Sequence, residues 1–559
     1  MGDPEGESGG PRPGRAVAAV AAVRAWVDAT FLDLAREMRW SFLPPLMVYF
    51  AAGVAGLTSV VGAFFVKDYL DLSAAFLAGL SFWAGLPWVL KMPLGHLVDL
   101  IWRWKAVLVF VGAGLIAASL GIMYALIAHR DAMDAILPVA TWFVIAQLLA
   151  PSGYVVQDVV ADAMTVEAVP PADPQGRPLP EDEAKALHTT MQTLGRFAII
   201  SGLVGVAALN IFMFADVETM SQAEKVATYA NIYLIALAIP ALSVSGVLLS
   251  MGLMRRRAAI MRREGVAEAR IDELLFAPAE RTEIDWQIFA GGAAFIAVSL
   301  AVGLSDFRWS AEAVFAGSMA IVLFLIRRLM RALDTARARA LVGTALIVFV
   351  FRAVPLPGPG QTWFEIDELG FDERFLSVLS LITSCLTLVG LLVLRPLMQR
   401  WSIARIVAVL SVAAGVLSLP NIGLYYGIQD VTAPLTGGVV DARFIAILDT
   451  AIESPLGQVA MIPMLAWIAR NAPRELKATF FAVMASFTNL ALSASQLATK
   501  HLNHVFVIER ETRNAAGEIT TQADYGELGI LLITVAVISV AAPLLTILVI
   551  QRTRFRTED

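Results

Sequence analysis

Two carboxylates stand four residues apart inside an apolar stretch: Asp158 and Asp162, in Val155-Val156-Gln157-Asp158-Val159-Val160-Ala161-Asp162-Ala163-Met164. At that spacing both acids lie on one face of a helix. An ionised Asp at the centre of a membrane helix costs roughly 3 kcal/mol, so the pair must face a partner, a water-filled cavity or a proton. Acids so placed can carry protons, because burial favours the neutral carboxyl and a nearby cation favours the carboxylate. A second acidic pair, Asp449 and Glu453, repeats the spacing near the other end of the chain. Lys91, Arg196 with Gln192 one turn earlier, and Arg352 are cations and an amide that also fall within apolar stretches. Guanidinium groups suit carboxylates, which they grip bidentately.

The elements that must hold these residues are membrane helices. The chain has 559 residues, 58% hydrophobic and 16% charged, with a mean hydropathy of +0.70. Its apolar residues come in runs of about 18–26, which is span length. Fourteen spans are predicted, near 43–66, 73–97, 105–128, 136–163, 188–213, 229–252, 287–304, 311–329, 338–356, 375–397, 404–425, 443–468, 477–502 and 527–551. They group as six, two and six around basic segments at 253–285 and 327–339. The divisions are a lead-in (1–40), a first six-helix half (41–252), a basic linker with an inserted helix pair (253–337) and a second half (338–559). Residues 16–40 read either as a surface amphipathic helix or as a cytoplasmic lead-in. With the N-terminus inside, inner loops hold roughly 30 of the 42 Lys and Arg, which places both termini in the cytoplasm. The Ala- and Arg-rich usage points to a bacterial inner membrane.

That topology gives each charge a depth. Lys91, Asp99, Asp158, Asp162 and Arg196 share the inner side, and Arg352, Asp449 and Glu453 the outer. Two mixed clusters, one per face, read either as alternating gates or as static salt bridges. Asn489, with Gln147, Gln157, Gln458 and Gln496, adds amides within spans. Gly85-Leu86-Pro87 and Pro93 predict a helix break around Lys91. Gly53, Gly56, Gly202 and Gly205 predict close contact of the first and fifth spans.

Much chemistry is excluded. No phosphate-binding loop, nucleophile elbow or dinucleotide fingerprint occurs. The five histidines lack metal-ligand spacing, and the single Cys385 allows no internal disulfide. The arginines track inner loops, which argues against nucleic acid. No cofactor is expected, and the chain does not read as an enzyme.

Several motifs carry a resemblance. Gly95-His96-Leu97-Val98-Asp99, with Arg103 beyond, resembles the gate signature of the major facilitator superfamily, with Leu100 where a basic residue is usual. Leu86-Pro87-Trp88-Val89-Leu90-Lys91, Gln157-Asp158-Val159-Val160-Ala161-Asp162-Ala163, Glu167, Leu369-Gly370-Phe371, Ile462-Pro463-Met464-Leu465 and the run from Ala478 to Asn489 resemble the folate–biopterin transporter family within it. The resemblance implies an all-α major facilitator fold of two six-helix halves, here with two extra helices inserted. It also implies a proton-coupled carrier of a folate, pterin or related organic anion; a monomer is expected. Arg196, Arg352, Gln192, Lys91 and Asn489 are then substrate-binding candidates. Asp158, Asp162, Asp449 and Glu453 are proton-coupling candidates, and Gly95, Asp99 and Arg103 form the gate motif. Muropeptide and acetyl-CoA carriers, and a membrane assembly or pigment-delivery factor, are the alternatives.

Overall fold

In the computed structural model, residues 38–556 are described, except 71, 171, 174, 176, 277–283, 285, 304, 306, 332–334, 394–400, 454–476 and 514–518. The lead-in up to residue 37 and the Ile462–Leu465 motif therefore lie outside the described residues. Side chains of Gln192 and Glu453 do as well.

The chain is almost wholly helical because its long apolar runs can satisfy backbone polar groups inside a bilayer only by helix formation. In order the helices are α1 (Leu43–Val54), α2 (Ser59–Tyr69), α3 (Ala74–Gly85), α4 (Lys91–Leu100), α5 (Ala106–Ala128), α6 (Arg130–Asp134), α7 (Val139–Ala168) and α8 (Glu181–Met213). They continue with α9 (Gln222–Ala236), α10 (Ala238–Arg263), α11 (Glu268–Leu275), α12 (Trp286–Gly303), α13 (Ser310–Met330), α14 (Thr335–Arg352) and α15 (Pro359–Asp367). The last are α16 (Glu373–Val393), α17 (Ile403–Tyr425), α18 (Ile428–Leu435), α19 (Ala442–Glu453), α20 (Lys477–Val505) and α21 (Leu528–Gln551). Among the described residues, ten helical stretches are long and apolar enough to cross a membrane. A small antiparallel pair, β1 (Thr512–Arg513) and β2 (Ile519–Thr521), interrupts the connection before α21.

Local chemistry sets several helix starts. Ser73 and Ser402 each accept a backbone N–H from the first turn of α3 and α17, and Ser221 with Glu224 forms a capping box on α9. The break predicted near Lys91 is a 3₁₀ segment, Leu86–Leu90, between α3 and α4. Pro87 has no N–H to give to an α-helical ladder. The first span is also broken, by a 3₁₀ turn at Ala55–Thr58, which sequence reading did not foresee.

Helices touch most closely where side chains are absent. A Cβ on Gly53 would sit 2.0 Å from the Ile199 carbonyl oxygen, and one on Gly202 would sit 2.6 Å from that of Phe50. Backbones of α1 and α8 therefore meet at these two glycines. The expected partners Gly56 and Gly205 are looser; a Cβ on Gly205 would meet nothing within 4 Å. α8 also packs along α16, and α3 along α20, so helices from the first part of the chain interleave with helices from the last. The inserted α13 is pinned to α20 by Lys500 Nζ to Glu312 Oε1 at 3.0 Å, a charge pair the sequence reading overlooked.

Candidate functional site

The site is built on α7. Pro151 removes one rung of its backbone ladder, and two residues later Gly153 lies against α5, where an added Cβ would be 2.6 Å from the Gly112 carbonyl oxygen. Gln157, one turn on, donates to the Val109 carbonyl oxygen at 3.3 Å. Gly153 and Gln157 thus fix one face of α7 on α5. Asp158 is displaced from Gln157 by about 100° around the axis, and Asp162 follows one turn later, so both acids turn toward α1 and α4.

There they meet one cation. Lys91 Nζ lies 2.6 Å from Asp158 Oδ2 and 2.9 Å from Asp162 Oδ2. Lys91 is the first residue after the 3₁₀ break, so the break sets where its side chain enters the bundle. Tyr49 of α1 donates its hydroxyl to Asp162 Oδ1 at 2.6 Å. Its ring lies where a side chain at position 195 would be, 3.0 Å from a Cβ built on Gly195. Asp158 is the more enclosed acid, with 20% of its side chain exposed against 49% for Asp162. If all three groups are ionised, one positive charge faces two negative ones, and a single proton would neutralise the set.

Other expected residues lie apart. Arg196 is exposed and pairs with neither acid, although it stands within electrostatic range of Tyr49 and Asp158. Lys91, expected as a substrate contact, is instead committed to the two aspartates. Asp99 is exposed, and Arg103 does not pair with it; its partner is Asp272 of α11. Gly95 faces Val159 of α7, 4.0 Å from a Cβ built on it. Below the site, Lys105 and Glu167 form a buried ion pair.

Of the second expected cluster, Arg352, Asp449 and Glu453, the Glu453 side chain lies outside the described residues. Asp449 is buried and accepts from Asn421 Nδ2 at 2.8 Å. Arg352, half-buried at the end of α14, keeps its Nε without a hydrogen-bond partner. Asn489 is half-buried in α20, its carbonyl oxygen 3.5 Å from the Ser493 hydroxyl. A different set joins early and late helices. Lys67 Nζ, at the end of α2, lies 2.5 Å from Asp367 Oδ1, and the Tyr525 hydroxyl donates to Asp367 Oδ2 at 2.5 Å. Burial, then the bond to Asp367, pushes that hydroxyl well above its ordinary range, so it stays a donor. Tyr229 donates to Glu373, Arg510 to the Val66 carbonyl oxygen, and Arg374 to that of Ala215 at 3.1 Å.

The profile of the BT1 family matches residues 318–558. A folate-biopterin transporter from Synechocystis sp. (strain ATCC 27184 / PCC 6803 / Kazusa) is 22% identical over 457 residues, 81% of this chain and 72% of that one. Both matches point to the same family, the BT1 or folate-biopterin transporters. The matches support a membrane transporter and not an enzyme. Its fold is like that of solved transporters. A peptide transporter POT crystallised with alafosfalin superposes with a TM-score of 0.58 at 15% identity, over 92% of this chain and 94% of that one. The nucleoside transporter NupG gives 0.53 at 11%, over 91% and 99%. Those likenesses establish a major facilitator type of fold alone.

Proposed function

We propose that this chain is a proton-coupled secondary carrier of a folate, a pterin or a related flat organic anion. The observation that carries the reading is the sharing of Lys91 between Asp158 and Asp162. Neutralised by one proton, the set changes its net charge without moving a helix, and Asp162 is exposed enough to exchange that proton. The proposed frame is fourteen spans in two six-helix halves, 41–252 and 338–559, with α12 and α13 inserted between them. Both termini face the cytoplasm of an inner membrane, and the unit is a monomer. The polar bridges from Lys67, Tyr229, Arg374 and Arg510 then lie at the outer boundary and support an outward-closed state. The named bridges at the other boundary, Arg39–Glu183, Lys105–Glu167 and Arg103–Asp272, stay within residues 39–272.

Magnitudes argue for the coupling. Each charge crossing about 100 mV is worth about 2.3 kcal/mol. A dianion entering a negative interior works against about 4.6 kcal/mol, and two protons cancel it. Asp158 and Asp162 are the proposed proton carriers, with Asp449 and Glu453 as a second pair. The exposed Arg196 and the half-buried Arg352 are the proposed carboxylate contacts, with Gln192 and Asn489 as polar neighbours.

The test is uptake into proteoliposomes of a panel of folates, pterins and muropeptides, with and without an imposed pH difference. Gradient-driven uptake of folates or pterins is expected. Uptake of muropeptides alone would move the chain to a different substrate class, and no uptake with recovery in a larger membrane complex would favour an assembly role.

A further inference from the structure

The inserted helices enclose space as well as filling it. Between α12, α13, the Leu86–Leu90 break with α4, and α20 lies a cavity of about 380 Å³. Val89, Pro93, Ile288, Phe295, Val322 and Phe324 give it an apolar wall. Phe324 is 62% exposed, so the cavity reaches the outer surface of the helix pair. An apolar cavity of about 150 Å³ stays dry and admits an apolar guest; this one is more than twice as large. Left empty in a bilayer, its lining would forfeit dispersion contacts that a chain from the surrounding lipid can supply.

One end of the cavity is a membrane boundary with the right chemistry for a headgroup. Gln287, on the wall, begins α12 next to Trp286, which is 71% exposed; tryptophan favours the headgroup level. The end of α13 reaches the same boundary with Arg327 and Arg331, both exposed. Neither is paired with a carboxylate among the described residues. Basic side chains at a bilayer surface attract anionic lipids.

We infer that this cavity is a binding site for one anionic phospholipid, its acyl chain inside the α12–α13 pair and its phosphate at Arg327 and Arg331. The occupant lies against the break that carries Lys91. A Cβ on Gly292 would sit 3.0 Å from Pro93 Cβ, so α12 already rests on α4 there and a seated chain braces the same segment from the side.

Gly291 supplies the test. It lines the cavity, and a Cβ built on it meets nothing within 4 Å, so Gly291→Phe adds bulk at the cavity wall from a position with room for its Cβ. Gly114 of α5, also open to 4 Å, gives Gly114→Phe as a control for bulk alone. The measurement is native mass spectrometry of protein purified in mild detergent and titrated with phosphatidylglycerol or phosphatidylcholine. Wild type and Gly114→Phe should retain one phosphatidylglycerol in preference to phosphatidylcholine. Gly291→Phe should lose it by at least tenfold, and Arg327→Gln with Arg331→Gln should abolish the preference while keeping weak binding of both lipids. Equal retention by wild type and Gly291→Phe would overturn the site, and indifference to headgroup in wild type would overturn the role of the arginines. The buried Ser486 hydroxyl on the wall has no hydrogen-bond partner. Unchanged capture by Ser486→Ala fits an acyl chain; a large loss would mean a guest with a polar group at that depth and would contradict the proposal.

Discussion

The two charged regions differ in what they tie together. Lys91, Asp158, Asp162 and Tyr49 come from α4, α7 and α1, all within the first third of the chain. Lys67, Asp367, Tyr525, Tyr229 and Glu373 join helices far apart in sequence. If the early and late helices rock against each other, the first region can stay intact and the second must break. The first is suited to hold and release a proton, the second to latch a closed boundary. Charge content alone does not distinguish them; connectivity does.

The comparison breaks most directly by removing acids from the first region. Asp158→Asn with Asp162→Asn should lower gradient-driven uptake by at least a hundredfold while leaving the protein folded, as judged by size-exclusion profile. Uptake unchanged by that pair would remove proton coupling from these residues.

An effect of a different kind is expected at the latch. Lys67→Gln leaves Asp367 with the Tyr525 hydroxyl but without its cation, and loss of one partner of a buried pair costs about 3–5 kcal/mol. Part of that cost is relieved by opening the seam. Labelling of a cysteine placed beside Asp367 should therefore quicken, and the exchange Lys67→Asp with Asp367→Lys should slow it again. Equal labelling in all three would mean that the pair does not latch.

Within the first region, Tyr49→Phe removes one hydrogen bond to a half-exposed carboxylate. The loss is about 1.5 kcal/mol, the low end for a charged acceptor, and uptake should fall about tenfold with coupling retained. A fall as large as that of the double aspartate change would make Tyr49 part of the proton path. The smallest effect belongs to Arg103→Gln. Its partner Asp272 is half-exposed, and exposed pairs contribute about 0–1 kcal/mol, so uptake should change by no more than about fivefold. A hundredfold loss would restore Arg103 to the gate that its motif resembles.

The legible parts of the site were those encoded by local spacing. Asp158 and Asp162 share a face because of helix geometry, and Gly85-Leu86-Pro87 marks the break before Lys91 by backbone chemistry. What spacing gives is depth along the membrane normal and not direction around it. Depth therefore groups Arg196 with the acids, while Lys91 is the cation that reaches them. Tyr49 was invisible as one aromatic among apolar neighbours. Lys67 and Glu312 sit at span ends, where charge is ordinary, and only packing reveals that each meets a partner from distant sequence. Boundaries of the fold were read from apolar run length, but the 3₁₀ turn at Ala55–Thr58 has neither proline nor charge to announce it.

The most direct measurement is proton movement itself, followed with a pH-sensitive dye trapped in proteoliposomes while a folate or pterin is added outside. Wild-type protein should carry protons in with the substrate, and Asp158→Asn with Asp162→Asn should abolish that signal while Lys67→Gln retains it. Substrate entry without any proton signal in wild type, or an undiminished signal in the double aspartate variant, would contradict the account.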